Sequence, residues 1–206
     1  MNWIERMYEI KGKDLYSQNG EGLLLEYVLH SLYHRGGIAN IFDIGSGDGF
    51  ILSNSRHLKH QGHKTFLFDK LLGITITAEN CTGATATFPN VISIDIDGND
   101  FWILDKQIPF YNPEIVIAEF NPAFTDSRTI KYNPDHVWAG DDYYGFSFEA
   151  GKKLAEKHGY EIIFNVANMN LIMVRKDLIG DLYVPPVTYE QVKFFKESNR
   201  TDWEWV

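Results

Sequence analysis

Hydrophobic positions change their period several times along this chain. In "EGLLLEYVLHSLYH", residues 21–34, Leu24, Tyr27, Val28 and Leu32 recur at helical intervals, which predicts an amphipathic helix stopped by Gly36 and Gly37. "NIFDIG" reads as a short buried strand, followed by the glycine turn "GSGDG" and a helical stretch running to about Gln61. "KTFLFD" is a second strand. Between Lys70 and Pro89 the pattern weakens, with "GITIT" as a short strand and "TGATATFPN" as a loop. "VISIDI" is the next strand, a short helix covers residues 101–106, and "EIVIAEF" is another strand that Pro122 helps to end.

Residues 121–145 form a long connection rich in Asn, Pro, Asp and Gly, which in a compact domain is often a functional loop. "SFEAGKKLAEKHG" is a helix with Ser147 as N-cap and Gly159 as its stop. "YEIIFNV" and "NLIMVR" are two strands joined by a tight "ANMN" link, an antiparallel hairpin. Strand and helix alternation predicts one α/β doubly wound domain over residues 1–206, with a core of about residues 16–178 and an extension over 179–206.

Composition narrows the function classes. A hydrophobic content of 44% and a charged content of 23% are ordinary for a globular protein. No apolar run approaches the ~20 residues of a membrane span. Charges occupy the first residues, where a signal peptide needs its apolar stretch, so a cytoplasmic protein with no membrane partner is expected. The single cysteine, Cys81, leaves no intrachain disulfide. A formal charge of −9 argues against nucleic acid as a partner, since phosphate binding needs a basic face. His57, His60 and His63 share a helical spacing interrupted at Gly62, which reads as a solvated helix end rather than a metal stripe.

Two constellations carry candidate chemistry. "FDIGSGDGF" sets Gly45, Gly47 and Gly49 between a strand and a predicted helix, where small residues let the backbone approach a ligand. The G-x-G-x-G spacing differs from the dinucleotide pattern. Asp43 is placed to accept from a ligand's ammonium group, and Asp69, ending the next strand, to bind both hydroxyls of a ribose. In "VISIDIDGND", Asp95 and Asp97 alternate along a strand and so point to one side, which is costly unless a cation or a hydrogen-bonding ligand compensates them. Glu119 and Asn121 end the neighbouring strand. These four oxygen-bearing side chains suit Mg²⁺, Mn²⁺ or Ca²⁺. The competing reading makes Asp97, Asn99 and Asp100 helix caps and gives Asp95 to loop N–H groups. An EF-hand is excluded, because the sixth and twelfth positions counted from Asp95 are Asp100 and Lys106.

"YSQNGEG", "FDIGSGDGFILSNSRHL", "SIDIDGNDFWIL", "IAEFNP" and "GDDYYGFSFEAGKKLAEKHGY", in this order over residues 16–178, resemble the FkbM-like S-adenosylmethionine-dependent methyltransferases. The resemblance implies a class I methyltransferase fold, a mostly parallel seven-stranded sheet with an antiparallel last strand. It implies S-adenosylmethionine as cofactor, with Asp43, Gly45, Ser46 and Gly47 at the methionine part, Asp69 at the ribose, Asp95 alongside, and Gln18 and Asn19 in a segment closing over it. The alternative for Gln18 and Asn19 is a polar turn capping the first helix. One departure stands out: the stretch between the second strand and the acidic strand is short for a full third strand. The adenine pocket is then shallow, completed by a second copy of the chain, or formed by Glu79 and Asn80.

The activity so implied is O-methylation of a sugar hydroxyl in a glycan acceptor, a deoxyhexose such as rhamnose or fucose. Methyl transfer is an in-line displacement, so the enzyme mainly positions the oxygen. Mg²⁺ or Mn²⁺ on Asp95 or Asp97 with Glu119 and Asn121 would lower the hydroxyl's pKa. His136 is a candidate base with Asp141 and Asp142 behind it, beside Asp95 and Asp97 as candidate catalytic carboxylates. Trp138, Tyr143 and Tyr144 would form either a sugar-stacking wall or loop anchors. An NAD-dependent oxidoreductase and a non-catalytic cofactor-binding module are the rival readings.

Overall fold

The computed structural model describes every residue except 11, 13, 34–36, 84 and 195, so Gly36, expected to help stop the first long helix, lies outside the described residues. The chain runs α1 (Trp3–Met7), α2 (Glu21–Leu32), β1 (Asn40–Ile44), α3 (Arg56–His60), β2 (Lys64–Phe68), β3 (Val91–Ile94), α4 (Asp100–Tyr111) and β4 (Ile115–Glu119). It continues through β5 (Arg128–Ile130), α5 (Phe148–Lys157), β6 (Tyr160–Val166), β7 (Asn170–Arg175), α6 (Lys176–Ile179) and β8 (Trp203–Trp205).

The main sheet has the order β2-β1-β3-β4-β7-β6. β2, β1, β3 and β4 are parallel, and β7 runs antiparallel to both β4 and β6. This is the class I methyltransferase arrangement without an outer strand beside β2. The sheet therefore has six strands rather than the seven the resemblance implies. In the segment that would hold the missing strand, Asn80 accepts from the Thr77 N–H at 2.7 Å and donates to the Thr75 carbonyl at 2.9 Å. Side-chain bonds of this kind compete with a strand ladder, and "GITIT" stays irregular.

Side-chain alternation along the central strands feeds two cores. Phe42, Ile44, Ile92 and Ile94 pack with Leu104, Ile108 and Leu154 of α4 and α5. Ile41, Val91, Ile115 and Ile117 pack on the other face against Ile4, Leu25, Val28 and Leu58 of α1, α2 and α3. Ser147 caps α5 by accepting from the Ala150 N–H at 3.2 Å, and Gly159 ends it at φ +77°, both as expected. The hairpin link holds Ala167 and Asn168 at φ +51° and +63°. Further elements differ from the sequence reading. α4 runs on to Tyr111, through Pro109, instead of ending near Lys106. The connection over residues 121–145 contains β5, which pairs antiparallel with β8 from the end of the chain. Among the described residues, no helix is long and apolar enough to cross a membrane.

Candidate active site

β1 ends at Ile44, and the turn that follows is packed too tightly for side chains. The Gly45 N–H donates to the Phe68 carbonyl at 2.8 Å, and a Cβ on Gly45 would lie 1.7 Å from the Asp95 carbonyl oxygen. Glycine is obligatory there. Gly47, at φ +57°, donates its N–H to Asp69 Oδ2 at 3.0 Å, tying the turn to the end of β2. The helix expected directly after the turn does not form there. Asp48 Oδ1 captures the N–H groups of Phe50 at 2.8 Å and Ile51 at 3.1 Å, and α3 begins only at Arg56. The N-terminus of α3 therefore does not follow directly on the glycine turn.

Asp43 is buried and spent on the chain itself. Its Oδ2 accepts from Ser53 Oγ at 2.9 Å and Ser55 Oγ at 2.6 Å, which pins the exit of the turn, and burial raises its pKa despite those bonds. It is not placed to meet a ligand's ammonium. Ser46 is buried at the turn with no partner for its hydroxyl.

A cavity of about 420 Å³ opens over the ends of β1, β2 and β3, within the usual range for small-molecule sites. Gly45, Asp69, Asp95, Ile96, Asp97 and His136 line it, with Ile74 and Ile76 on the side of the short middle segment. Asp69 Oδ1 also accepts from the Leu71 N–H at 2.7 Å. With one N–H on each oxygen, the carboxylate keeps capacity for two further donors such as vicinal hydroxyls. Glu79 and Asn80 do not face this cavity. Glu79 is fully exposed and accepts from the Tyr132 hydroxyl, while Asn80 closes its own turn. Gln18 is exposed in the loop before α2, where Asp14 accepts from the Tyr16, Ser17 and Leu23 N–H groups. Asn19 donates to the buried Glu21, which also accepts from Asn170 at 3.1 Å. The polar segment thus fastens α2 to the start of β7.

The carboxylates converge by a different route from the expected one. β3 stops at Ile94, so Asp95 and Asp97 follow the strand rather than alternate within it, and Asp97 sits at φ +52°. Ile94 pairs with Ala118, which sets Asp95 opposite Glu119. One oxygen each from Asp95, Asp97 and Glu119 lies within 4.8 Å of the others, a geometry able to hold a cation. Glu119 Oε2 is buried without a hydrogen-bond partner. Asn121 does not join them. Its amide donates to the carbonyls of Asp142 at 2.8 Å and Tyr144 at 3.1 Å and accepts from the Ala123 N–H at 3.0 Å, so it is held by the loop backbone. Asp100, the first residue of α4, accepts from the N–H groups of Ile96 at 3.0 Å and Gly98 at 2.9 Å and so ties down the loop before the helix rather than capping it. Asn99 makes no cap bond and instead exchanges hydrogen bonds with Asn133.

This group is electrostatically strained. Burial, then the charges of Asp100, Asp97 and Asp43, push Asp95 up to about 7. Burial pushes Asp100 up to about 6 and raises Asp97. Glu119 is raised well above the carboxylate range by burial and then by Asp95. The Asp95 and Glu119 carboxyls act on each other directly, so each shifts the other's titration.

His136 reaches this site from the long loop. Its Cδ2 leaves no room for a Cβ on Gly98, at 2.8 Å, and its Nε2 is buried and unpartnered. Burial lowers its pKa, favouring the neutral imidazole a base requires. Asp141 and Asp142 serve the loop, accepting from the N–H groups of Tyr143 at 3.1 Å and Ser198 at 2.7 Å. Tyr143 and Tyr144 are buried, and Trp138 donates to the Asp141 carbonyl at 2.6 Å, so these aromatics anchor the loop. His57 and His63 are structural, the first on Glu26 at 2.6 Å and the second accepting from the Ala39 N–H at 3.0 Å. Sequence reasoning gave Asn99 and Asp100 only as helix caps, and it missed the cavity wall made by Ile74 and Ile76 of the middle segment.

No family model and no curated protein matches the sequence. Among solved structures, a protein of Lactococcus lactis provisionally described as a hemolysin aligns at a TM-score of 0.48 and 17% identity, over 79% of this chain and 90% of that one. An O-methyltransferase family protein from Burkholderia thailandensis aligns at 0.38 and 14%, over 84% and 55%. A Listeria monocytogenes protein provisionally described as a class I S-adenosylmethionine-dependent methyltransferase aligns at 0.38 and 11%, over 92% and 70%. At these identities and TM-scores the likenesses carry no chemistry, which rests on the chain's own residues.

Proposed function

We infer that the chain is an S-adenosylmethionine-dependent O-methyltransferase acting on a sugar hydroxyl, with a divalent cation at Asp95, Asp97 and Glu119. The observation that carries the reading is the cavity over Gly45, whose missing side chain leaves the backbone flush with the Asp95 carbonyl while Asp69 offers free acceptor capacity in the same wall. When bound, the cofactor supplies an electrophilic methyl group, and Mg²⁺ or Mn²⁺ supplies Lewis acidity towards a hydroxyl. The residues supply the rest. Asp69 orients vicinal hydroxyls, and Ile74 and Ile76 give an apolar wall for a planar base. The buried Glu119 Oε2, lacking a partner, favours a cation over a purely structural carboxylate group. The unpartnered His136 Nε2 is the base for the acceptor proton.

Calorimetry tests the cofactor. S-adenosylhomocysteine should bind the wild type, NAD should not, and Asp69→Ala should weaken binding by about 1.5–3 kcal/mol per lost charge-assisted bond at most. Binding of NAD in place of S-adenosylhomocysteine would overturn the assignment, and unchanged affinity in Asp69→Ala would remove the ribose role.

A further inference from the structure

A second cavity, of about 400 Å³, adjoins the first, and His136 and Val137 line both. The sheet does not build it. Its far wall is the C-terminal segment, held against the long loop by named contacts. Lys196 Nζ donates to the Ala139 carbonyl at 2.7 Å, the Ser198 N–H donates to Asp142 Oδ1 at 2.7 Å, and the Arg200 guanidinium lies 4.5 Å from the centre of the Tyr143 ring. Pairing of β8 with β5 fastens the end of the same segment.

We propose that this cavity is the acceptor subsite, supplied by the C-terminal segment, and that it takes a neutral polyhydroxylated ring. The inference rests on the methyltransferase reading and specifies where its acceptor sits. The lining mixes acceptors, Asp141 and Glu197, with donors, Lys196, Ser198, Asn199 and Arg200, and its formal charges balance. Arg200 makes a two-point contact with Asp202 at 2.8 and 2.7 Å, so its guanidinium is not free to hold an anion. A surface that offers both donors and acceptors without an excess of positive charge matches hydroxyl groups, which do both, better than a carboxylate or phosphate. His136 stands in the partition between the cavities, so a hydroxyl of the ring meets the imidazole on its way to the cofactor pocket.

The test uses the whole chain. Calorimetry with S-adenosylhomocysteine comes first, and failure there defeats the methyltransferase reading itself. With that ligand bound, saturation-transfer NMR is run on methyl rhamnoside, fucoside, mannoside and galactoside, and on methyl glucuronoside. At least one neutral glycoside should receive saturation. Asn199→Trp, which fills the cavity from an exposed position, should weaken glycoside binding at least about tenfold and leave S-adenosylhomocysteine affinity within about twofold. Gln191→Trp, on the same segment outside the lining, should leave both ligands bound as in the wild type. The proposal is overturned if no neutral glycoside binds, if only the glucuronoside binds, or if Asn199→Trp and Gln191→Trp behave alike.

Discussion

Raising the pH of the metal-free protein ionises the buried carboxylates, and the stability lost can be worked from Asp95. Its pKa goes from 3.8 to about 7 on folding, chiefly through burial. The folded state therefore holds a proton that the unfolded chain releases, and stability falls as pH rises between those two values. A thousandfold difference in proton affinity corresponds to about 4 kcal/mol. Of this, about 1.5 kcal/mol falls below pH 5, leaving about 2.5 kcal/mol between pH 5 and pH 8. Asp95 and Glu119 titrate as an interacting pair, so their contributions are not summed. Asp97 and Asp100, also raised, act in the same direction. His136 and His63, both lowered mainly by burial, act oppositely and gain stability as pH rises toward their ordinary pKa. Carboxylates with lowered pKa, such as Asp14 and Asp105, have already given their stabilisation by pH 5. Urea unfolding in EDTA at pH 5, 6, 7 and 8 should show a falling stability, and Asp95→Asn should make the slope shallower. Manganese at about a hundred times its dissociation constant should restore about 2.7 kcal/mol at pH 8. A metal-free protein equally stable at pH 5 and pH 8, with Asp95→Asn unchanged in slope, would refute the buried-carboxylate account.

Three further outcomes follow from the geometry. Gly45→Ala places a Cβ 1.7 Å from the Asp95 carbonyl oxygen and should abolish S-adenosylhomocysteine binding, or the fold itself, by calorimetry and circular dichroism; a folded variant with normal affinity would show that the turn is not the binding surface. Glu119→Gln keeps the shape but removes a ligand charge, so manganese titration should show affinity reduced by about tenfold or more while metal-free stability is kept or raised. Ser147→Ala orphans the Ala150 and Arg128 N–H groups, bound at 3.2 and 3.1 Å, and should lower stability by about 2 kcal/mol in urea, with no change in cofactor affinity.

The residue pattern by itself determined the order of the six main-sheet strands and of α2 to α5 among them, the cap at Ser147, the hairpin at residues 160–175 and the place of the glycine turn. These depend on near neighbours, through side-chain period, capping and backbone conformation, which a sequence displays directly. It also placed Asp69, Asp95, Asp97 and Glu119 near one sheet edge, because parallel strands end together. Tertiary structure decided what those residues do. Asp43 turned out to serve Ser53 and Ser55, and Asn121 to serve the 142–144 backbone, since a buried polar group takes whichever partner the fold brings closest. Asp100 took the Ile96 and Gly98 N–H groups instead of capping its helix, and Asp48 delayed the helix after the turn, through local side-chain to backbone bonds that periodicity does not register. The pairing of β5 with β8 joins residues more than seventy positions apart, and with it comes the second cavity. Long-range pairing is set by which surfaces meet after the core has formed, so that wall of the site was visible only in three dimensions.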